Sequence, residues 1–113
     1  MLSYILFIIK EELPMIHKIE KNVSDITKLE LSGRLDTSTA PEFEAVLDEV
    51  LSDANGLELN FDKLEYISSA GLRLILKAYK AMAKKGGMKL THVNASIREV
   101  LEITGFMDFL NIE

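Results

Sequence analysis

Apolar and polar residues alternate from Ile26 to Ser32, where Leu29 and Leu31 interleave with Lys28, Glu30 and Ser32. Period two turns one side to a core and the other to water, which predicts a half-buried strand closed by Gly33. The period then changes. Phe43, Val46, Leu47, Val50 and Leu51 recur at helical spacing and make one apolar face. Asp36-Thr37-Ser38-Thr39-Ala40-Pro41-Glu42 supplies the start of that helix: cap oxygens, a Pro suited to the first turn and an acid at the positive end. Asp53, Asn55 and Gly56 end it. Leu57, Leu59 and Phe61 restore period two and predict another strand, with Asp62 to Ser69 as a connecting loop.

From Ala70 to Lys85 the spacing is helical again, with Leu72, Ile75, Leu76, Tyr79, Met82 and Ala83 on one face, and Gly86-Gly87 turns the chain. Met88 to Val93 reads as a strand. Asn94 or Ser96 caps a last helix that turns Ile97, Val100 and Leu101 inward and stops at Gly105. Phe106, Phe109, Leu110 and Ile112 form an apolar tail. Before all of these, Ile16 to Lys21 is a short strand and Asn22 to Asp25 a turn. The order is β β α β α β α plus the tail, an α/β domain with a sheet backed by helices. Its βαβ steps should cross over right-handed. Leu29, Leu31, Val46, Leu47, Leu59, Phe61, Leu72, Ile75, Leu76, Leu90, Val100 and Leu101 should share one core.

Composition narrows the function. The 113 residues are 48% apolar, ordinary for one globular domain. Cys is absent, so disulfides and thiolate metal sites are excluded. That fits a reducing compartment, and the cytoplasm is the expected location. The net charge is −5 and the longest basic run is Lys84-Lys85, which argues against nucleic acid as a partner. Met1 to Ile9 is apolar but too short to span a membrane, and it lacks the basic start and cleavage site of a signal peptide. Residues 1–14 are therefore an extension, either upstream of a natural start at Met15 or an added edge element. Residues 15–113 form the domain.

Catalytic chemistry finds little footing. His17 and His92 lie in predicted strands without a second ligand at metal spacing, so no metal or cofactor is expected. No nucleophile elbow and no phosphate-cradling glycine loop is present. Two segments stand out, Ser32 to Ala40 and Asp62 to Arg73. Both join a strand end to a helix start, and such loops gather at one edge of a parallel sheet. Asp36 and Ser69 should therefore lie close together on one exposed rim. Ser68 and Ser69 can cap a helix, as can Asp36. A hydroxyl there can equally carry a phosphate, which free N–H groups at a helix start would accommodate. Gly71, one turn in, reads as a point where another backbone comes close.

Gly33-Arg34-Leu35-Asp36, the helix from Ala40, Ile67-Ser68-Ser69-Ala70-Gly71-Leu72 and Ile97-Arg98-Glu99-Val100-Leu101 with Gly105-Phe106 together resemble the STAS domain of bacterial anti-sigma factor antagonists. The resemblance covers Met15 to Glu113. It implies a mixed sheet of four to five strands backed by helices, and no catalysis. It also implies binding to an anti-sigma factor that is a serine kinase, release of a sigma factor, and dissociation once that kinase phosphorylates a serine at the start of the second main helix. A phosphatase resets the switch, and the protein works as a monomer without membrane insertion. The contact residues implied are Arg34, Asp36, Thr37, Ser68, Ser69, Gly71 and Arg73. The family pattern is Asp-Ser-Ser-Gly-Leu with the second Ser modified. This chain has Ala70 in that column and Ser68 in the Asp column, so the acceptor becomes Ser69 and then Ser68. A domain of this kind can also serve as a fixed, unswitched subunit of a stress-signalling or lipid-transport assembly. A nucleotide-binding role lacks a supporting loop.

Overall fold

The computed structural model describes the backbone of Leu6–Phe7 and Ile16–Lys21 and the whole of residues 26–113. The turn expected at Asn22 to Asp25 and most of the 1–14 segment lie outside the described residues. Chain order is β1 (Leu6–Phe7), β2 (Ile16–Lys21), β3 (Ile26–Leu35), α1 (Ala40–Leu51), β4 (Gly56–Ile67), α2 (Ser69–Ala83), β5 (Met88–Thr91), α3 (Ala95–Ile103), a 3-10 turn (Phe106–Asp108) and β6 (Asn111–Ile112).

Strand order in the sheet is the order in the chain. The first three strands pair antiparallel, and β3 to β6 pair parallel. The sheet is thus mixed, as expected, but has six strands among the described residues rather than four or five. The two additions, β1 and β6, are two-residue edges, too short to leave a period. Each parallel step moves the same way across the sheet, so right-handed crossovers place all three helices on one face. Burial follows that rule. Thr27, Leu29 and Leu31 of β3 and Leu57, Leu59 and Phe61 of β4 are buried, while Lys28, Glu30, Glu58 and Asn60 between them are only half-covered.

The strands run further than their alternation suggested. β4 continues through Ile67, so the loop expected from Asp62 is mostly strand. Its buried residues there are Phe61, Leu64 and Ile67, spaced by three. The β3–β4 register slips between Glu30 and Ser32 and again between Gly33 and Arg34. Irregular pairing of this kind breaks period two without ending a strand. Gly33 sits at the second slip with φ of +82°, so it bends β3 instead of closing it. In contrast, β5 stops at Thr91. His92, expected inside it, is an exposed bend residue with φ of 58°.

The expected core is buried except for Leu76 and Val100, which are half-exposed. On α2 the inward stripe is Gly71, Leu74, Ile75, Ala78 and Met82, with Leu72 at its margin. Gly71 sits tight against Leu35 and Ile67 and Ala78 is fully covered, and hydrophobicity alone undervalues both residues. Ala83, expected on the inner face, is exposed. Outside, Lys77 ties α2 to α1 through Asp48 Oδ1 at 2.6 Å and Glu44 Oε2 at 3.1 Å. The different burial of two leucines gives a direct check. Leu74→Ala should cost about 2–5 kcal/mol in urea unfolding, and Leu76→Ala clearly less; equal losses would place the inward stripe wrongly.

Candidate functional site

β3 and β4 end side by side, because Leu35 is the register partner of Ile67. Each strand is followed at once by a turn into a helix, so Asp36 and Ser68 leave the same sheet edge on adjacent strands. The Ser68 N–H donates to the Leu35 carbonyl at 2.9 Å and fixes that juxtaposition. Asp36 and Ser69 therefore share one rim.

Asp36 does not cap α1; it organises the turn before it. Its Oδ1 accepts from the Ser38 N–H at 3.0 Å, the Ser38 hydroxyl at 2.8 Å and the Thr39 N–H at 3.2 Å. Thr39 answers in kind. Its hydroxyl accepts from the Asp36 N–H at 2.9 Å and donates to the Arg34 carbonyl at 2.7 Å. The carboxylate is thus locked, with its second oxygen, Oδ2, 3.6 Å from Arg34 Nε. The Ser38 hydroxyl is the main reason that its pKa falls below 3.8; partial desolvation opposes this, and the Thr39 and Ser38 N–H groups assist. Neither Ser38 nor Thr39 was among the expected site residues, although an Asp followed by hydroxyls at two and three positions is the signal of such a turn.

The two serines are not equivalent. Ser68 is the N-cap of α2 by position, but its hydroxyl makes no cap bond and is buried without a partner. The capping role expected of it is therefore unfilled. Ser69, the first helical residue, is exposed. Gly71 is buried and so contributes no contact surface. A Cβ on it would fall 2.6 Å from Leu35 Cγ and 2.9 Å from Ile67 Cγ1, so what comes close is side chains of both strand ends, not another backbone. Thr37, Arg34 and Arg73 are exposed. Arg34 lies over the Tyr66 ring, with Cζ 4.1 Å from its centroid.

An open groove of about 760 Å³ runs beside the rim, between the far ends of β3 and β4 and the start of α3. Asp36, Ser38, Asp62, Lys63, Glu65 and Asn94 are among its lining residues; Ser68 and Ser69 are not. Asn94 joins α3 to the sheet there. Its Oδ1 accepts from the Ile97 N–H and its Nδ2 donates to the Leu64 carbonyl, both at 2.9 Å. Of the two expected caps, Asn94 is the one used. Among the described residues no three His, Cys, Asp or Glu side chains group to hold a metal ion, and no helix is long and apolar enough to cross a membrane.

The sequence model of the STAS domain matches residues 18–113. The chain belongs to the STAS domain family. A curated relative, the anti-sigma F factor antagonist of Paenibacillus polymyxa, is 31% identical over 85 residues, which is 73% of each chain. Among solved structures, an anti-sigma factor antagonist from Mycobacterium paratuberculosis superposes with a TM-score of 0.76 at 21% identity, over 86% of this chain and 84% of that one. SpoIIAA of Bacillus, solved in its phosphorylated form, gives 0.62 at 18% identity over 79% and 83%. The structural likenesses place this STAS domain among those proteins by fold.

Two predictions test the rim of this STAS domain. Because its folded pKa is lowered, ionised Asp36 stabilises the fold above the ordinary carboxylate value, and that contribution disappears as pH falls through the folded pKa. An NMR titration should place Asp36 below 3.8, and Ser38→Ala, which removes the largest cause, should raise it. An unchanged midpoint would mean that the turn is not what holds the carboxylate. Gly71→Ala adds a methyl that Leu35 and Ile67 cannot clear. Overpacking costs about 1–3 kcal/mol, against about 1 kcal/mol gained in helix propensity. The net result should be a lower urea midpoint; a rise would show that the strand ends yield freely.

Proposed function

We propose that this STAS domain is an anti-sigma factor antagonist, a binding protein without catalysis of its own. It pairs with an anti-sigma factor serine kinase in the cytoplasm, so freeing a sigma factor, and leaves that complex when the kinase phosphorylates Ser69. A phosphatase returns it to the binding form, and the domain acts as a monomer. The observation that carries this reading is the contrast between the two serines. Ser69 is exposed at the first position of α2 on the rim of Asp36, whereas the Ser68 hydroxyl is buried. A kinase reaches the first and not the second. The relatives add support, since the curated one is named for antagonism of an anti-sigma factor and one structural neighbour was solved phosphorylated.

The physical basis of release is charge. A phosphate on Ser69 gains from the first-turn N–H groups of α2, to which Ser68 offers no side-chain acceptor. It also brings about −1.5 to −2 charges beside Asp36. Under a docked partner that charge is desolvated and unpaired, at a cost of several kcal/mol. Since about 1.4 kcal/mol is tenfold in affinity, about a hundredfold loss is expected.

The test uses the serine-kinase anti-sigma factors of the source genome, each purified and incubated with the domain and Mg-ATP. Mass spectrometry should find phosphate on Ser69 and should find it still in Ser68→Ala. Ser69→Asp should bind about a hundredfold more weakly than the parent, and Ser69→Ala should bind normally and resist release. If the parent binds and no serine gains phosphate, the domain is instead a fixed subunit of its assembly.

A further inference from the structure

The apolar face of α2 is broader than the core it covers. Leu76 and Tyr79 remain half-exposed and Ala83 is exposed, although helical spacing puts all three on one flank, three or four residues apart. The tail stands across from that flank. Phe109 is 36% exposed, and its ring lies 4.8 Å from that of Tyr79 and 5.2 Å from that of Phe106, tilted against both. An open groove of about 440 Å³ is lined by α2 and by this aromatic wall, at the end of the sheet away from Ser69, where β4 and β5 begin. Tyr79, Ala83, Met88 and Phe109 are among its lining residues, and Gly86 and Gly87 add no side chain to fill it.

Charge is distributed unevenly around it. Lys77 is answered by Asp48 and Glu44, and Lys85 by the Leu51 and Ala54 carbonyls at 2.9 and 3.1 Å. Arg73, Lys80 and Lys84 are exposed and form no ion pair among the described residues. Arg73 and Lys80 lie three and four positions from Leu76, and Lys84 four from Lys80, so these cations run along the solvent side of the apolar flank. Glu58 and Lys89 also line the groove, but they face each other at 4.0 Å and Lys89 is held by Glu113 at 3.1 Å. On the tail side the sign is opposite, with Asp108 exposed next to Phe109. A recess with apolar walls and bases along one of them matches an amphipathic helix, whose side chains interlock with a flank of helical spacing. A flat membrane surface cannot enter a recess, and a second copy of a chain with net charge −5 is repelled.

We propose that the groove between α2 and the tail takes an amphipathic helix of a partner protein, with a Leu or Phe side chain seated between Ala83 and Phe109 and acidic residues along the α2 side. The Tyr79–Phe109 contact orders the wall before binding, which lowers the entropy lost on docking. This surface is independent of the antagonist reading. Ser69 opens α2 and Ala83 ends it. At about 1.5 Å of rise per residue the two ends stand about 20 Å apart. A helix in the groove therefore leaves the rim free, and a phosphate on Ser69 does not evict it.

The probe is a short synthetic amphipathic peptide with Leu and Phe on one face and Glu along one flank, compared with a twin that has Lys for each Glu. Each is titrated into the full chain, and amide shifts are followed by NMR. The acidic peptide should shift Leu76, Tyr79, Lys80, Ala83 and Phe109, leave Asp36 and Ser69 unmoved, and bind about tenfold more tightly than its twin. Ala83→Gln fills the groove without charge, and Lys80→Glu reverses the flank; both positions are exposed, so melting temperatures should match the parent. Ala83→Gln should weaken both peptides about tenfold, and Lys80→Glu should erase the preference for Glu. Ser69→Asp should change neither. Shifts confined to the rim, or none up to about 1 mM peptide, overturn the groove. Equal binding of the two peptides overturns the acidic partner. Sedimentation in which the parent self-associates and Ala83→Gln does not would give the groove to a second copy. Lys80-dependent binding to phosphatidylglycerol vesicles would give it to a membrane. Either result overturns the partner helix.

Discussion

The rim depends on the parallel pairing of the last residues of β3 and β4, sealed by the hydrogen bond from the Ser68 N–H to the Leu35 carbonyl. Two register slips must occur upstream for Leu35 to meet Ile67. Once they meet, both side chains turn under the start of α2, and only a residue without a Cβ can sit over them. Gly71 thus couples the strand ends to the position of Ser69. Asp36 then has one place to go, and its turn with Ser38 and Thr39 returns the chain into α1. Backbone geometry comes first here, and the chemistry of the hydroxyls is a consequence of it.

Much of this was legible in the residues. Regular alternation located β3 and the first half of β4, and helical spacing located α1 and α2, because each covers or is covered by a single layer. That Asp36 and Ser69 share an edge followed from strand-to-helix junctions alone. What was hidden has a common cause. The far half of β4 pairs irregularly, so its burial has no period two, and Leu64 and Ile67 looked like loop residues. The Arg34–Tyr66 contact depends on the same slips and could not be read from either segment. The inward stripe of α2 was rotated because Gly71 and Ala78, both small, are among its buried residues. Hydroxyl orientation is set by surroundings, so nothing in the letters separated buried Ser68 Oγ from exposed Ser69.

The face of the sheet opposite the three described helices is polar in an ordered way. Lys28, Glu58 and Lys89 are direct neighbours across β3, β4 and β5, and Lys89 also reaches Glu113 at 3.1 Å. Opposite charges alternate along that row, as cross-strand pairs favour. A parallel sheet is usually buried on both sides. This row shows how one side can remain wet: its long side chains cover the strands with their own methylene stems.

Strand order equal to chain order has a consequence for how the sheet is assembled. No strand has to be threaded between two that are already in place. From β2 onward, each new strand adds to the open edge left by the one before it, and each helix folds back over the pair just made. A chain emerging from the ribosome can therefore lay down its wall course by course, with every addition resting on residues already synthesised. The cost is that a growing sheet always shows one unpaired edge, and unpaired edges are where foreign strands attach. The last addition, β6, covers the β5 edge with only two residues, Asn111 and Ile112, and so leaves a very short edge in its place.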